Sequence, residues 1–216
     1  MRLLKTYGAA MLLLFLSSGL SGQEYRMGVE YGQKLIKHLY ADGKFEVRNL
    51  QQEASTFNSM VQLGFSYELF DDLKLSTAVR YGLGENDPDD EEFEGDYSSK
   101  WRYTGDIKYK TKRFDNDIRF DQRFRYQLVA EPGDESKNYL RYQAKADYKL
   151  TNNVRPFVGI EPFYSLTNSK VSALRLYTGG NFEVFKNEIE LYLIAEVLNK
   201  KSGLQTNYIM GIAYKF

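Results

Sequence analysis

Apolar and polar residues alternate with a period of two along most of the chain. Phe57, Val61, Leu63, Phe65, Tyr67 and Leu69 are interleaved with Asn58, Met60, Gln62, Gly64, Ser66 and Glu68. Leu73, Leu75, Val79, Tyr81 and Leu83 stand against Lys74, Ser76, Ala78, Arg80 and Gly82, and Trp101, Tyr103, Ile107 and Tyr109 against Arg102, Thr104, Lys108 and Lys110. The sharpest run sets Ile118, Phe120, Phe124, Tyr126 and Leu128 against Arg119, Asp121, Arg123, Arg125 and Gln127. Similar runs follow at about 139–150, 154–166, 173–185, 188–198 and 206–216. Upstream, Tyr25, Met27, Val29 and Tyr31 form one alternating set, and Leu39, Ala41, Gly43, Phe45 and Val47 another. A period of two is the signature of a strand with two unlike faces, and no segment shows the 3.6-residue spacing of an amphipathic helix.

These runs span about 10 to 13 residues. Globular strands average ~5–6 residues, whereas a tilted strand crossing a bilayer's hydrocarbon needs ~9–11. Their connections alternate in kind. Phe70–Asp72, Lys112–Asn116, Thr151–Asn153 and Lys186–Asn187 are tight and polar, while Gln51–Thr56, Glu85–Ser98, Glu131–Lys137, Thr167–Lys170 and Asn199–Gln205 are longer. The expected fold is therefore all-β: an antiparallel up-and-down transmembrane barrel as a single domain, residues 23–216. The runs total eleven, and because such barrels close with even numbers, about twelve strands are expected, with ten as the alternative. A twelfth would hide near Gln33–Asp42; with ten, the first segment would lie inside the barrel.

The unlike faces set the orientation. One carries Leu, Val, Ile, Phe and Tyr, the other Arg, Lys, Asp, Glu, Gln and Gly. So many large aromatics would overfill the inside of a small soluble barrel. Turned outward they form an apolar belt, and the polar face lines the lumen.

Composition alone points elsewhere. With 27% charged residues, a mean hydropathy of −0.52 and no net charge, the chain has the balance of a soluble domain. The first residues alter that picture. Arg2 and Lys5, an apolar run from Ala9 to Leu16, and small residues up to Gly22 have the layout of a secretory signal peptide, residues 1–22, leaving Gln23 as the mature start. The expected location is the bacterial outer membrane, with membrane lipid, lipopolysaccharide and the barrel-assembly machinery as partners. Neutral charge gives no reason to expect nucleic acid.

The chain is poor in catalytic residue types. It has no cysteine and one histidine, His38, so a His/Cys zinc site cannot be assembled. A serine hydrolase needs a general base beside its hydroxyl, and no serine lies within ten residues of His38. No enzyme activity, cofactor or metal is expected. The acidic stretch Glu85–Asp96 matches no calcium-loop spacing and reads as a solvated loop. The residues expected to line the lumen are Lys108, Lys110, Arg119, Asp121, Arg123, Arg125, Arg141, Lys145, Glu161, Glu190 and Glu196. A basic ladder facing an acidic wall would favour small anionic solutes in a wide barrel; in a narrow one the same charges would pair and seal it.

The segments RFDNDIRFDQRFRYQL, NYLRYQAKADYKLTNNVRPFVGIEPFYSL and ALRLYTGGNFEVFKNEIELYLIAEV resemble the domain-of-unknown-function family 2490 over about Gly28 to Phe216. That family occurs in Bacteroidetes-type bacteria and is described as outer-membrane protein. The resemblance implies a barrel fold and a location, and no activity. Tyr208, Tyr214 and Phe216 at the aromatic end resemble the C-terminal signal that assembly machinery recognises. The expected role is a small porin-like channel with a charged lumen; a sealed structural or interaction barrel and a lipid-modifying enzyme are the alternatives.

Overall fold

The computed structural model describes residues 23–50, 57–83, 99–130, 132–133, 135–184, 187–200 and 203–216. The signal-peptide segment 1–22 and the acidic stretch 85–96 lie outside the described residues. Eleven strands close into one barrel: β1 (Gln23–Ile36), β2 (Leu39–Leu50), β3 (Phe57–Phe70), β4 (Leu73–Leu83), β5 (Ser99–Lys110), β6 (Ile118–Ala130), β7 (Lys137–Tyr148), β8 (Val154–Ser165), β9 (Lys170–Val184), β10 (Asn187–Lys200) and β11 (Gly203–Lys215). Every consecutive pair is antiparallel, and the backbone ladder passes from strand to strand, interrupted between β7 and β8 where Tyr142 and Gln143 lie opposite Pro162, which has no N–H, and Glu161.

Eleven falls between the ten and twelve expected, and the odd count has a mechanical solution. An up-and-down wall with an odd number of strands brings its first and last strands together pointing the same way. β1 and β11 accordingly pair in parallel, from Gln23 opposite Tyr208 to Glu30 opposite Lys215. Beyond this ladder, the Phe216 N–H donates to the Glu30 carbonyl at 3.1 Å and the Gly32 N–H to the Phe216 carbonyl at 3.2 Å. A two-residue turn, Lys37–His38, joins β1 to β2, and His38 takes the left-handed conformation there (φ 68°). No further strand fits between them, and β1 lies in the wall rather than inside it.

The alternation decides which face is enclosed. Along β5, Lys100, Arg102 and Asp106 are buried, while Trp101, Tyr103, Ile107 and Tyr109 are each at least 40% exposed. The same inversion runs round the wall: Met27, Leu63, Phe65, Phe124, Val158 and Leu176 are exposed outside, and Glu46, Arg141, Glu161 and Glu196 are buried inside. Tyr31, Tyr67, Tyr109, Tyr148 and Phe216 ring the outer surface near the short-turn end, and Tyr25, Trp101 and Tyr164 lie towards the other.

Two glycines on the enclosed face admit aromatic rings. The Tyr192 ring occupies the space a side chain on Gly211 would need, and Gly179 lies against the Leu191 carbonyl and the Phe157 ring, 2.7 Å from where its Cβ would be. Overpacking of this kind costs ~1–3 kcal/mol. Gly179→Ala is therefore expected to lower the urea unfolding midpoint of the refolded barrel, and an unchanged midpoint would show that the β9–β10 wall gives way freely.

Candidate functional site: the charged lumen

The register places all eleven residues expected to line the lumen on the enclosed face. Lys108 stands opposite Arg123, Lys110 opposite Asp121, Arg125 opposite Arg141, and Arg119 opposite Asp147. Tyr208 and Tyr214 take the opposite register, on the outer face. Phe216 packs edge-on to Tyr214, with ring centroids 5.0 Å apart.

The centre of the lumen is built on Glu161 of β8, which has no exposed surface. Arg123 of β6 donates to its Oε1 through Nη2 at 2.9 Å. Arg141 of β7 approaches the same oxygen with Nη2 at 2.9 Å and Nε at 3.1 Å. The Tyr177 hydroxyl of β9 donates to Oε2. Arg141 also donates to Gln127 at 2.7 Å. Phe163 lies between two guanidiniums, with Arg141 4.0 Å and Arg175 4.5 Å from its ring centroid. A buried carboxylate without such donors would carry a large desolvation cost, so this constellation stands or falls as a unit.

Further ion pairs surround it. Arg125 grips Asp106 with two parallel hydrogen bonds, Nε at 2.6 Å and Nη2 at 2.7 Å. Although Arg125 and Arg141 face each other across β6 and β7, each turns to a different carboxylate, and this separates the two like charges. Arg175 pairs with Glu196 on the neighbouring strand. On β1 and β2, Arg26 binds Glu24 at 2.7 Å, while Arg48 at 2.7 Å and Lys44 at 3.1 Å share Glu46.

At the short-turn end the pairs are more exposed. Asp147 takes Arg113 at 2.6 Å and Arg119 at 2.8 Å. Lys145 reaches Glu190 at 3.5 Å and lies 3.4 Å from the Phe157 ring centroid. Lys215 joins Glu188, at 3.0 Å, to Glu190, and Arg155 also pairs with Glu188. The basic ladder and the acidic residues expected to face it across the lumen are thus in contact, and much of the transverse field is spent in local pairs.

Exposure falls along the basic side from this end inward. The side chain of Lys110 is 48% exposed, Lys108 39%, Arg123 21%, Arg125 11% and Arg141 7%. Side-chain exposure on the basic side is thus greatest at the short-turn mouth, as in a vestibule, and least at the level of Glu161.

The sequence pattern left several members of this network unassigned: Arg175, Tyr177, Glu188 and the charged residues of β1 and β2. All follow the inward period of two and were open to detection on that ground. Arg113 was not, because it lies in the β5–β6 connection, where alternation stops. Among the described residues, no group of three His, Asp or Glu side chains is placed to share a metal ion.

Removing one partner from a buried ion pair costs ~3–5 kcal/mol, while an exposed pair contributes ~1 kcal/mol or less. Glu161→Gln should therefore lower the unfolding free energy by about 3 kcal/mol or more, and Lys110→Gln, at the rim with Asp121, by no more than about 1 kcal/mol. Chemical denaturation of both variants in the same detergent checks the contrast; equal losses would contradict it.

The family model described as a protein of unknown function (DUF2490) matches residues 27–207. No curated protein matches the chain.

Proposed function

The chain belongs to the DUF2490 family, and from that premise we propose that it is an outer-membrane β-barrel whose lumen is closed at rest by its own ion pairs. The membrane half of this reading is supported by the bare apolar outer face with aromatics towards both ends, a surface far larger than soluble monomers leave uncovered. The closed half rests on one observation: Glu161, held by Arg123, Arg141 and Tyr177, is out of reach of water. A charge wetted by an open pore would be exposed. With the short turns on the periplasmic side, as is usual for such barrels, the vestibule opens towards the periplasm. No catalytic role is assigned to His38, which sits in the turn at the vestibule's rim with its ring tilted towards Tyr67, centroids 6.3 Å apart.

Two measurements test the reading. The protein should fractionate with outer membranes and migrate differently on gels before and after boiling; recovery as a soluble periplasmic protein would refute the membrane assignment. In planar bilayers the wild-type barrel should show no steady conductance steps, and regular open steps would refute closure.

A second reading, a narrow path for small anions that opens on demand, is favoured by the excess of cations along β5–β7 and by the graded exposure from Lys110 inward. Under it, Arg123→Glu with Arg125→Glu would move the reversal potential of any open state towards cation selectivity. An unchanged reversal potential would remove these residues from the path.

A further inference from the structure

The register row Lys74–Lys108–Arg123 sets three cations side by side across β4, β5 and β6. Like charges directly opposite one another destabilise a sheet unless something answers them. Lys74 is answered: it pairs with Glu68 at 3.1 Å and lies 4.4 Å from the Tyr40 ring centroid. The other two are not fully engaged. Among the described residues, the carboxylate nearest Lys108 is Asp106, at 3.6 Å, beyond hydrogen-bonding range and already held twice by Arg125, with Asp42 of β2 further off. Arg123 spends Nη2 on Glu161, and its Nε is buried without a partner.

We propose that Lys108 and Arg123 form a binding site for the oxyanion group, phosphate or carboxylate, of a small water-soluble solute entering from the short-turn mouth. Side chains of an opposed cross-strand pair start about 5 Å apart at Cβ, so one tetrahedral or carboxylate anion can accept from the Lys108 ammonium and, once it displaces the atoms that cover the buried Nε, from the Arg123 Nε–H. The anion would supply the missing acceptor for Arg123 and screen the repulsion along the row. Access agrees with this, since Lys108 is the more exposed of the two and Lys110 lies next to it towards the mouth. Lys110 itself is engaged by Asp121 at 3.2 Å and serves the approach. A lipid phosphate is not the expected occupant, because its acyl chains would have to follow it into a charged lumen.

The site rests on the reading of the lumen as a blind vestibule. Its test needs neither a bilayer nor conductance, so failure here leaves the membrane assignment untouched. Inorganic pyrophosphate and citrate are titrated calorimetrically into the full barrel in neutral detergent, with short-chain phosphatidic acid as the third probe. Saturable binding of pyrophosphate or citrate is expected, weakened about tenfold by Lys108→Gln, the loss of one charge-assisted contact. Lys110→Gln should weaken it less than threefold. Glu161→Gln, which frees Arg123, should tighten it; if that variant does not fold, the Lys108/Lys110 contrast decides alone. No saturable binding, equal losses for Lys108→Gln and Lys110→Gln, or binding of phosphatidic acid alone would each overturn the proposal.

Discussion

Closure of the backbone ladder is the constraint from which the rest of the molecule follows. A sheet that ends in free edges leaves rows of unpaired N–H and C=O groups, which hydrocarbon cannot satisfy. Here the ladder runs through eleven strands and returns to its start at the parallel β1–β11 seam. Once the wall is closed, a period of two leaves each side chain only two destinations. Apolar residues go outward by default, and every charge on the wall must find its partner within a narrow interior.

That confinement explains the character of the lumen. Carboxylates and guanidiniums that would be weakly paired on a wet surface are held here in low dielectric, where an unpaired member is costly. The response is sharing: Glu161 serves two arginines and a tyrosine, Glu46 an arginine and a lysine, and Asp147 two arginines. Glycines opposite aromatic rings provide room for side chains that would otherwise not fit, as with Tyr192 over Gly211. The interior thus combines shared, buried ion pairs at its centre with more exposed positive charge towards the short-turn mouth.

Strand existence, strand length and side-chain direction were all legible in the sequence, because a period of two over a dozen residues has one structural meaning. The eleven inward charges from Lys108 to Glu196 were assigned to one face on that basis alone. Their partners were not legible. Arg123 meets Glu161 two strands and 38 residues away, and Lys145 meets Glu190 three strands away; such pairs depend on stagger and on side-chain reach. Strand parity was hidden too, since nothing in a strand's own pattern says whether its neighbour at the seam runs with it or against it. The rule that apolar means outward also failed locally: Ile194, Ile209 and Phe163 face inward and are buried, filling gaps between charged groups.

The parallel seam has a consequence for polarity. In a wall with an even number of strands, the first and last strands meet head to tail, and both ends of the wall emerge from the same mouth. Here β1 and β11 run together, so Gln23 lies at the mouth of the longer connections and Phe216 at the mouth of the tight turns. The barrel is thereby a directed object whose two chain ends emerge at opposite mouths. A single strand gained or lost would bring them to the same side.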